Sequence, residues 1–250
     1  MENFISEIIT NIEDFVSETS TRIILLIFLL VIITGGWFLF FRGDSEPIEP
    51  LVGDLFNFGP YQWRILDMQA DRKLLIRKNI GMSYRVQFHD AGDERMFDPL
   101  GDGWLSATWA ESSIRQWLNN DFYAKFTSEE QARIAETRVI NNANPWSGIS
   151  GGENTVDKIF FLSLEEVVQY FGDSGQLQNR PRGGRGWFIC DQYNDVRRAV
   201  TENGHSWRWW LRSPGYHGHY AATVGSRIYL DGTSIFSPSP GIRPALWLYR

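Results

Sequence analysis

The sequence predicts an α+β domain behind a membrane anchor, and three observations carry that reading. Runs that read as strands stand near both ends of the region after residue 50: Tyr61–Gln69 and Lys73–Ile80 at one end, Ala221–Val224, Arg227–Leu230, Thr233–Phe236 and Gly241–Leu248 at the other. Between them, hydroxyl-x-x-carboxylate boxes announce helices at Thr108–Glu111, Thr127–Glu130 and Ser163–Glu166, each partner satisfying the other's free backbone donor. Ahead of everything lies an uncharged run, IILLIFLLVIITGGWFLFF, from Ile23 to Phe41. Strands at both ends with helices between predict terminal strands that meet in one sheet.

The anchor comes first in chain order. At about 1.5 Å per residue the run spans roughly 28 Å, the thickness of a bilayer's hydrocarbon core. Arg22 and Arg42 bracket it, and Trp37 lies where an interfacial aromatic belongs. A cleaved signal peptide fits less well, because the leader is acidic and no Ala-x-Ala-like site follows. The expected partner of Ile23 to Phe41 is therefore the lipid bilayer, crossed once. Lysines and arginines near the two ends are balanced, so they do not orient the span. A short tail before it and a large domain after it favour an extracytoplasmic domain. Residues 1–22 repeat apolar side chains (Phe4, Ile5, Ile8, Ile9, Ile12, Phe15, Val16) at helical spacing opposite acids. They read as an amphipathic segment leading into the span at 23–41, followed by a polar linker at 42–52 and a single α+β domain at 53–250.

Within that domain the first two strands are joined by a turn near Ala70-Asp71-Arg72. The first helix places Ile114, Trp117 and Leu118 on one face, which assigns Trp117 to the core. Val156–Leu162 reads as a buried strand. Asn141–Thr155 and Gly172–Gly186 are long loops, polar or Gly-rich. WRWWLRSPG (207–215) divides by strand alternation. Trp207, Trp209 and Leu211 fall on a core face, and Trp210 falls opposite them, bracketed by Arg208 and Arg212 for cation–π contact. Gly225-Ser226 and Asp231-Gly232 read as hairpin turns, and Pro244 requires an edge or a bulge.

Composition narrows the function classes. Hydrophobic residues make up 43% and charged residues 22%, enough to build a sizeable core. The net charge is −6, but residues 1–22 hold five acids against Arg22, which leaves the remainder at −2. So neutral a domain has no field to draw nucleic acid, and that partner class is set aside. One cysteine, Cys190, excludes an internal disulfide and a thiolate zinc cluster; it reads as a small buried side chain.

Candidate chemistry is sparse. Gly148-Ile-Ser-Gly-Gly152 matches a nucleophile pattern but lacks the strand that must precede its elbow. His217 and His219, with His205 near in sequence, are too few for a metal site. Asp90, Asp93, Glu94, Asp98 and Asp102 crowd one loop without calcium-loop spacing. Arg180, Arg182 and Arg185 form one RGG-like copy, where nucleic-acid tails repeat it. Neither a cofactor nor a metal is expected, and no catalytic residue is assigned.

Separated segments also resemble a family of bacterial domains of unknown function. They are Tyr61-Gln-Trp63-Arg64-Ile-Leu66-Asp67, Thr108-Trp109 with Ile114-Arg115-Gln-Trp117-Leu118-Asn119, and Phe126-Thr-Ser-Glu129-Glu130. Further matches are Asp157-Lys158-Ile-Phe160-Phe161-Leu162-Ser163, Trp209 to Gly215, and Gly241-Ile-Arg243-Pro244-Ala245-Leu246-Trp247. Together they run from about residue 53 to 249. The resemblance implies a C-type-lectin-like fold, shared with formylglycine-generating enzymes, and no assigned activity. The cysteine pair of that oxidase chemistry is missing. So are the calcium-lectin sugar motifs, Tyr193-Asn-Asp195 being the nearest approach.

The resulting expectation is a membrane-anchored, non-catalytic binding or interaction domain at the bacterial cell surface, with a glycan or a protein as ligand. Its candidate surface is the hairpin region Tyr216–Pro240, through Tyr216, His217, His219, Tyr220, Arg227, Tyr229 and Asp231. Two rivals stand beside it. One is an envelope or carbohydrate-active enzyme using acids such as Asp191 or Asp195; the other is a structural subunit assembled through the N-terminal helix and span.

Overall fold

In β1 (Leu55–Phe58), β2 (Tyr61–Met68) and β3 (Arg72–Arg77), side chains alternate between core and surface until β3, where the residues from Lys73 onward are buried. A strand covered on both faces and paired on both edges leaves no exposed position. The closing strand, β12 (Ala245–Tyr249), supplies the second edge, and the sheet order is β1-β2-β3-β12. The first and last strands of the domain therefore meet in one sheet, as the α+β reading requires. The computed structural model describes residues 50–81, 88–89, 108–181 and 186–250; Pro50–Arg250 forms one compact unit. The amphipathic segment, the span, most of the linker, the acidic loop and Arg182 and Arg185 lie outside the described residues. Among the described residues, no helix is long and apolar enough to cross a membrane.

Pro244 stands just ahead of β12, where its missing N–H costs nothing, and its carbonyl accepts from Arg77 at 2.9 Å. The open edge of β12 is covered by Phe160, which exchanges two hydrogen bonds with Ala245, and by Ala135.

The helical part follows its caps. Thr127 and Ser163 form complete capping boxes with Glu130 and Glu166, opening α2 (Ser128–Arg133) and α3 (Leu164–Phe171). The first box is displaced. Thr108 does bond Glu111 at 2.9 Å, but residues 108–111 form a turn, and α1 (Ser113–Trp117) starts from Ser112, whose hydroxyl accepts from Arg115 N–H. The turn points Trp109 into the core, where its indole N–H donates to Asp157 at 2.9 Å. α1 runs into a π-helical turn at Leu118–Phe122. There the Asn119 amide donates to the Ile159 carbonyl and accepts from the N–H groups of Lys158 and Ile159. Trp117 is only partly buried, contrary to its core assignment, while Ile114 and Leu118 are fully buried. β4 (Thr137–Val139) pairs with β5 (Thr155–Asp157), which is shorter than the expected strand; Val156 is 61% exposed, and Ile159–Leu162 is buried without a ladder of its own.

A second sheet, ordered β6-β11-β10-β9, holds β6 (Phe188–Ile189), β9 (Trp209–Pro214), β10 (Tyr220–Val224) and β11 (Ile228–Ser234). Between β6 and β9 come α4 (Asn194–Arg197), β7 (Ala199–Val200) and β8 (Ser206–Trp207). The alternation reading of WRWWLRSPG fails in two places. Trp207 is 41% exposed on β8, and Trp210 is fully buried against Phe88, ring centroids 5.6 Å apart. Both faces of β9 are covered, so alternation separates nothing there. Arg208 stacks on Tyr229 and Arg212 pairs with Glu166, so neither serves Trp210 in the way expected. Asp231-Gly232 is not a turn either. It lies inside β11 at a register shift opposite Ala221–Thr223, with Gly232 at φ +79°, where a Cβ would collide with the Ala221 carbonyl. The hairpin turn spans Gly225–Arg227.

Candidate functional site

The chain leaves β9 at Pro214 and turns within Gly215–His219. Gly215 N–H donates to the Tyr220 carbonyl at 2.7 Å, and Tyr216 N–H donates to the Asp231 carbonyl at 3.0 Å. A side chain at Gly215 would meet that same Asp231 carbonyl, so the approach needs glycine. The β11 bulge brings Asp231 to this turn, joining two stretches that the sequence separates by fifteen residues.

Two loops are fastened to the same place. Asn144, fully buried, donates its amide to the carbonyls of Pro214 and Leu230, both at 2.9 Å, and Ser147 donates to the Gly215 carbonyl at 3.0 Å. The other end of the Asn144 amide accepts from Trp146 N–H at 2.9 Å, which fixes Trp146 beside the turn. Trp146 in turn donates its indole N–H to the Leu177 carbonyl at 2.9 Å, holding the next loop. Trp187, at the start of β6, accepts at its carbonyl from the N–H groups of Leu230 and Asp231.

The result is a continuous row of rings. Trp146 and Trp187 lie 6.3 Å apart, Trp187 and Tyr216 4.2 Å, and Tyr216 and His217 4.5 Å. His217 and His219 are near-parallel at 5.5 Å, and His219 meets Tyr220 at 4.7 Å. The Arg180 guanidinium sits 3.9 Å from the Trp187 ring centroid and 4.9 Å from that of Trp146. Trp146 and Trp187 are half-buried, and Tyr216 and His217 are exposed. Such a row offers flat apolar faces with polar edges, suited to stacking on a sugar ring, an aromatic group or a cation.

Of the residues singled out in the sequence, Tyr216, His217, His219, Tyr220 and Asp231 come together here. Arg227 and Tyr229 belong to the neighbouring outer face of the hairpin. Arg227 stacks on Phe188 at 4.2 Å, and Tyr229 lies under Arg208 at 3.8 Å with its hydroxyl 3.3 Å from Ser226. Burial pushes the Asp231 carboxyl above its ordinary value, against the pull of the Gly232 N–H and the charge of Arg208. Trp146 and Trp187 escaped the sequence reading, and Arg180 entered it only as part of the discounted RGG-like copy. The available signal was a tryptophan inside an otherwise polar loop and another just after a Gly-rich one.

The remaining candidates take structural positions. Asp191 is buried in an ion pair with Arg197 at 2.7 Å, and Asp195 is exposed beside Arg198 at 3.2 Å. Asp157 accepts from Trp109, Thr155 and Arg115. Ser150 lies exposed in an irregular loop and accepts from Gly152 N–H. Cys190 is exposed rather than buried, its sulfur 3.2 Å from the Asn194 amide. Among the described residues, no group of three or more His, Cys, Asp or Glu is placed to hold a metal.

A family model described as a domain of unknown function (DUF6273) matches residues 71–250. The chain belongs to this family. The matched stretch begins in the turn before β3 and runs through β12, so the DUF6273 region includes the whole ring row and both arginine-bearing segments around β9 and β12. Comparison with curated proteins and with solved structures finds no match.

Proposed function

We propose that this DUF6273 domain is a non-catalytic ligand-binding or interaction module of C-type-lectin-like build, carried outside the cytoplasm by the single span Ile23 to Phe41. The observation that carries the binding reading is the convergence of three separate loops on one row of rings, Trp146–Trp187–Tyr216–His217. Buried polar groups fasten those loops, so the face is preorganised, and a rigid aromatic surface binds with little ordering cost. The meeting of β1–β3 with β12 supports the lectin-like build, in which loops project from a sheet closed by both termini. The acids proposed for an enzyme do not share a cleft: Asp191 is spent on Arg197, and Asp195 stands apart in solvent. Glycans are the favoured ligand class, because flat aromatic faces stack on the C–H faces of sugars.

The test uses residues 44–250, purified and screened against glycan arrays and envelope protein fractions. The expected result is binding to a defined glycan set that the double variant Trp187→Ala/Tyr216→Ala loses by at least about tenfold. Binding unchanged in that variant, or no binding to any glycan or envelope protein, overturns the proposal. Protease shaving of intact cells reads the compartment separately; a protected domain removes the extracytoplasmic part of the reading.

A further inference from the structure

Where the terminal sheet meets the start of β9, at the Trp209–Gly241 bridge, lies a group of hydrogen-bond donors unrelated to the ring row. Arg64 on β2 pairs with Ile76 on β3, and Ile76 pairs with Ala245 on β12, two residues beyond Arg243. The ladder thus brings Arg64 and Arg243 to one region of one sheet. Arg243 is 2% exposed. Its Nε donates to the Arg77 carbonyl at 3.0 Å, and its guanidinium lies 5.0 Å from the ring centroid of Trp209 and 5.5 Å from that of Phe171.

A guanidinium carries five N–H donors and no acceptor. Nη1 of Arg243 is buried without a protein acceptor among the described residues, and so are Nε of Arg64 and the indole N–H of Trp209. All three orphaned groups are donors. Among the described residues no ion pair joins Arg64 or Arg243 to a carboxylate: Glu202 pairs with Arg77 at 2.8 Å, and Glu166 chelates Arg212. Burial pushes the Arg243 guanidinium down to about 9, the Arg64 charge pushes it the same way, and no carboxylate opposes them. A fully buried cation beside a second cation, with donors to spare, is costly unless an anion completes it.

We propose that Arg243, Arg64 and the indole N–H of Trp209 form a receptor for an oxyanion: a carboxylate, sulfate or phosphate group. Such a group brings acceptors only, carries the missing charge and matches the planar fork of arginine. The stacking on Trp209 holds the guanidinium in place, and Arg64, only half-buried, forms the solvent edge through which an anion enters. The source is either a free inorganic anion or an acidic group on a larger molecule such as a uronic-acid sugar. This site is independent of the ring row and of the glycan reading.

The experiment uses the full chain in detergent, titrated separately with inorganic phosphate, inorganic sulfate and glucuronate, with chloride at matched ionic strength as reference. Thermal unfolding and tryptophan fluorescence are followed together. The expected result is a saturable rise in Tm with at least one oxyanion beyond chloride, accompanied by a fluorescence change from Trp209. A response to phosphate or sulfate identifies a free anion; a response to glucuronate alone identifies an acidic sugar. Arg64→Gln, at the solvent edge, is expected to retain the fold and weaken the response roughly tenfold. Arg243→Met, of similar length and uncharged, is expected to abolish it. Equal behaviour in all four salts overturns the proposal, as does a wild-type response in Arg64→Gln, whether or not Arg243→Met folds.

Discussion

Arg212 and Arg180 both lie against aromatic rings, yet one belongs to the scaffold and the other to the surface. Arg212, buried on β9, chelates Glu166 through both terminal nitrogens and donates to the carbonyls of Phe161 and Ile140. It thereby ties β9 to the start of α3, to the segment just before that helix and to the end of β4. Arg180 rests on the faces of Trp187 and Trp146. The difference follows from burial. Where water is excluded, a guanidinium is held by the acceptors packed around it, and the residues that supply them become structural. Where solvent reaches it, a ring face is partner enough, and that face can also receive a ligand. The sequence string that first looks most like a binding patch, WRWWLRSPG, supplies the beam; the rings that can bind come from loops around it.

The sharpest way to break this contrast is to remove Arg212. Arg212→Ala takes the paired cation from Glu166 and a donor from two carbonyls, and the expected loss is about 3–5 kcal/mol of unfolding free energy by chemical denaturation. A loss below about 1 kcal/mol would place Arg212 with the surface arginines.

Acid titration probes a second buried pair. Burial alone raises Asp191, but the hydrogen bonds and charge of Arg197 and the hydrogen bond from Tyr193 N–H hold the carboxyl below its ordinary value. A depressed folded value means the contribution is complete above the unfolded carboxylate range and is lost as pH falls through the folded value. Thermal unfolding should therefore show stability falling below about pH 4 in the wild type. Asp191→Asn, already short of that charge, should show a shallower acid slope; identical slopes would remove Asp191 from the scaffold.

Caps come next in size. Thr127→Ala removes the hydroxyl that accepts from Glu130 N–H at the start of α2, with an expected loss of about 1 kcal/mol in denaturant midpoint analysis. The smallest effect on stability is expected on the ring row. Tyr216→Ala, at an exposed position, should change unfolding free energy by no more than about 0.5 kcal/mol while weakening ligand binding. A loss of several kcal/mol would turn the row into scaffold and dissolve the contrast.

Local chemistry is what the sequence shows most directly. The boxes at Thr127 and Ser163 form as read, because a cap is decided within four residues. The β2–β3 hairpin and the closing strand after Pro244 also follow from short-range pattern, and so does the meeting of terminal strands in an α+β plan. Reading by alternation breaks down at β9, since a strand with both faces covered no longer sorts core from surface; Trp207 and Trp210 exchange their expected places. Asp231-Gly232 has turn composition but lies in a bulge, because positive φ serves both and only the register with β10 decides between them.

The sequence by itself therefore determined the capping boxes at Thr127 and Ser163, the terminal strands that share a sheet, the likeness to a family of domains of unknown function and five of the residues on the ring row's side of the hairpin. Tertiary structure alone decided that Trp146, Arg180 and Trp187 join them, because Asn144 and the Trp146 indole make their bonds to carbonyls far away in sequence. It also decided that Arg212 meets an acid, Glu166, and that Arg243 meets none among the described residues. Both stand in similar strings beside a proline, and nothing local reveals which acid each will meet. Charge pairing across a fold depends on which strands lie side by side, and that is fixed only when the sheets form.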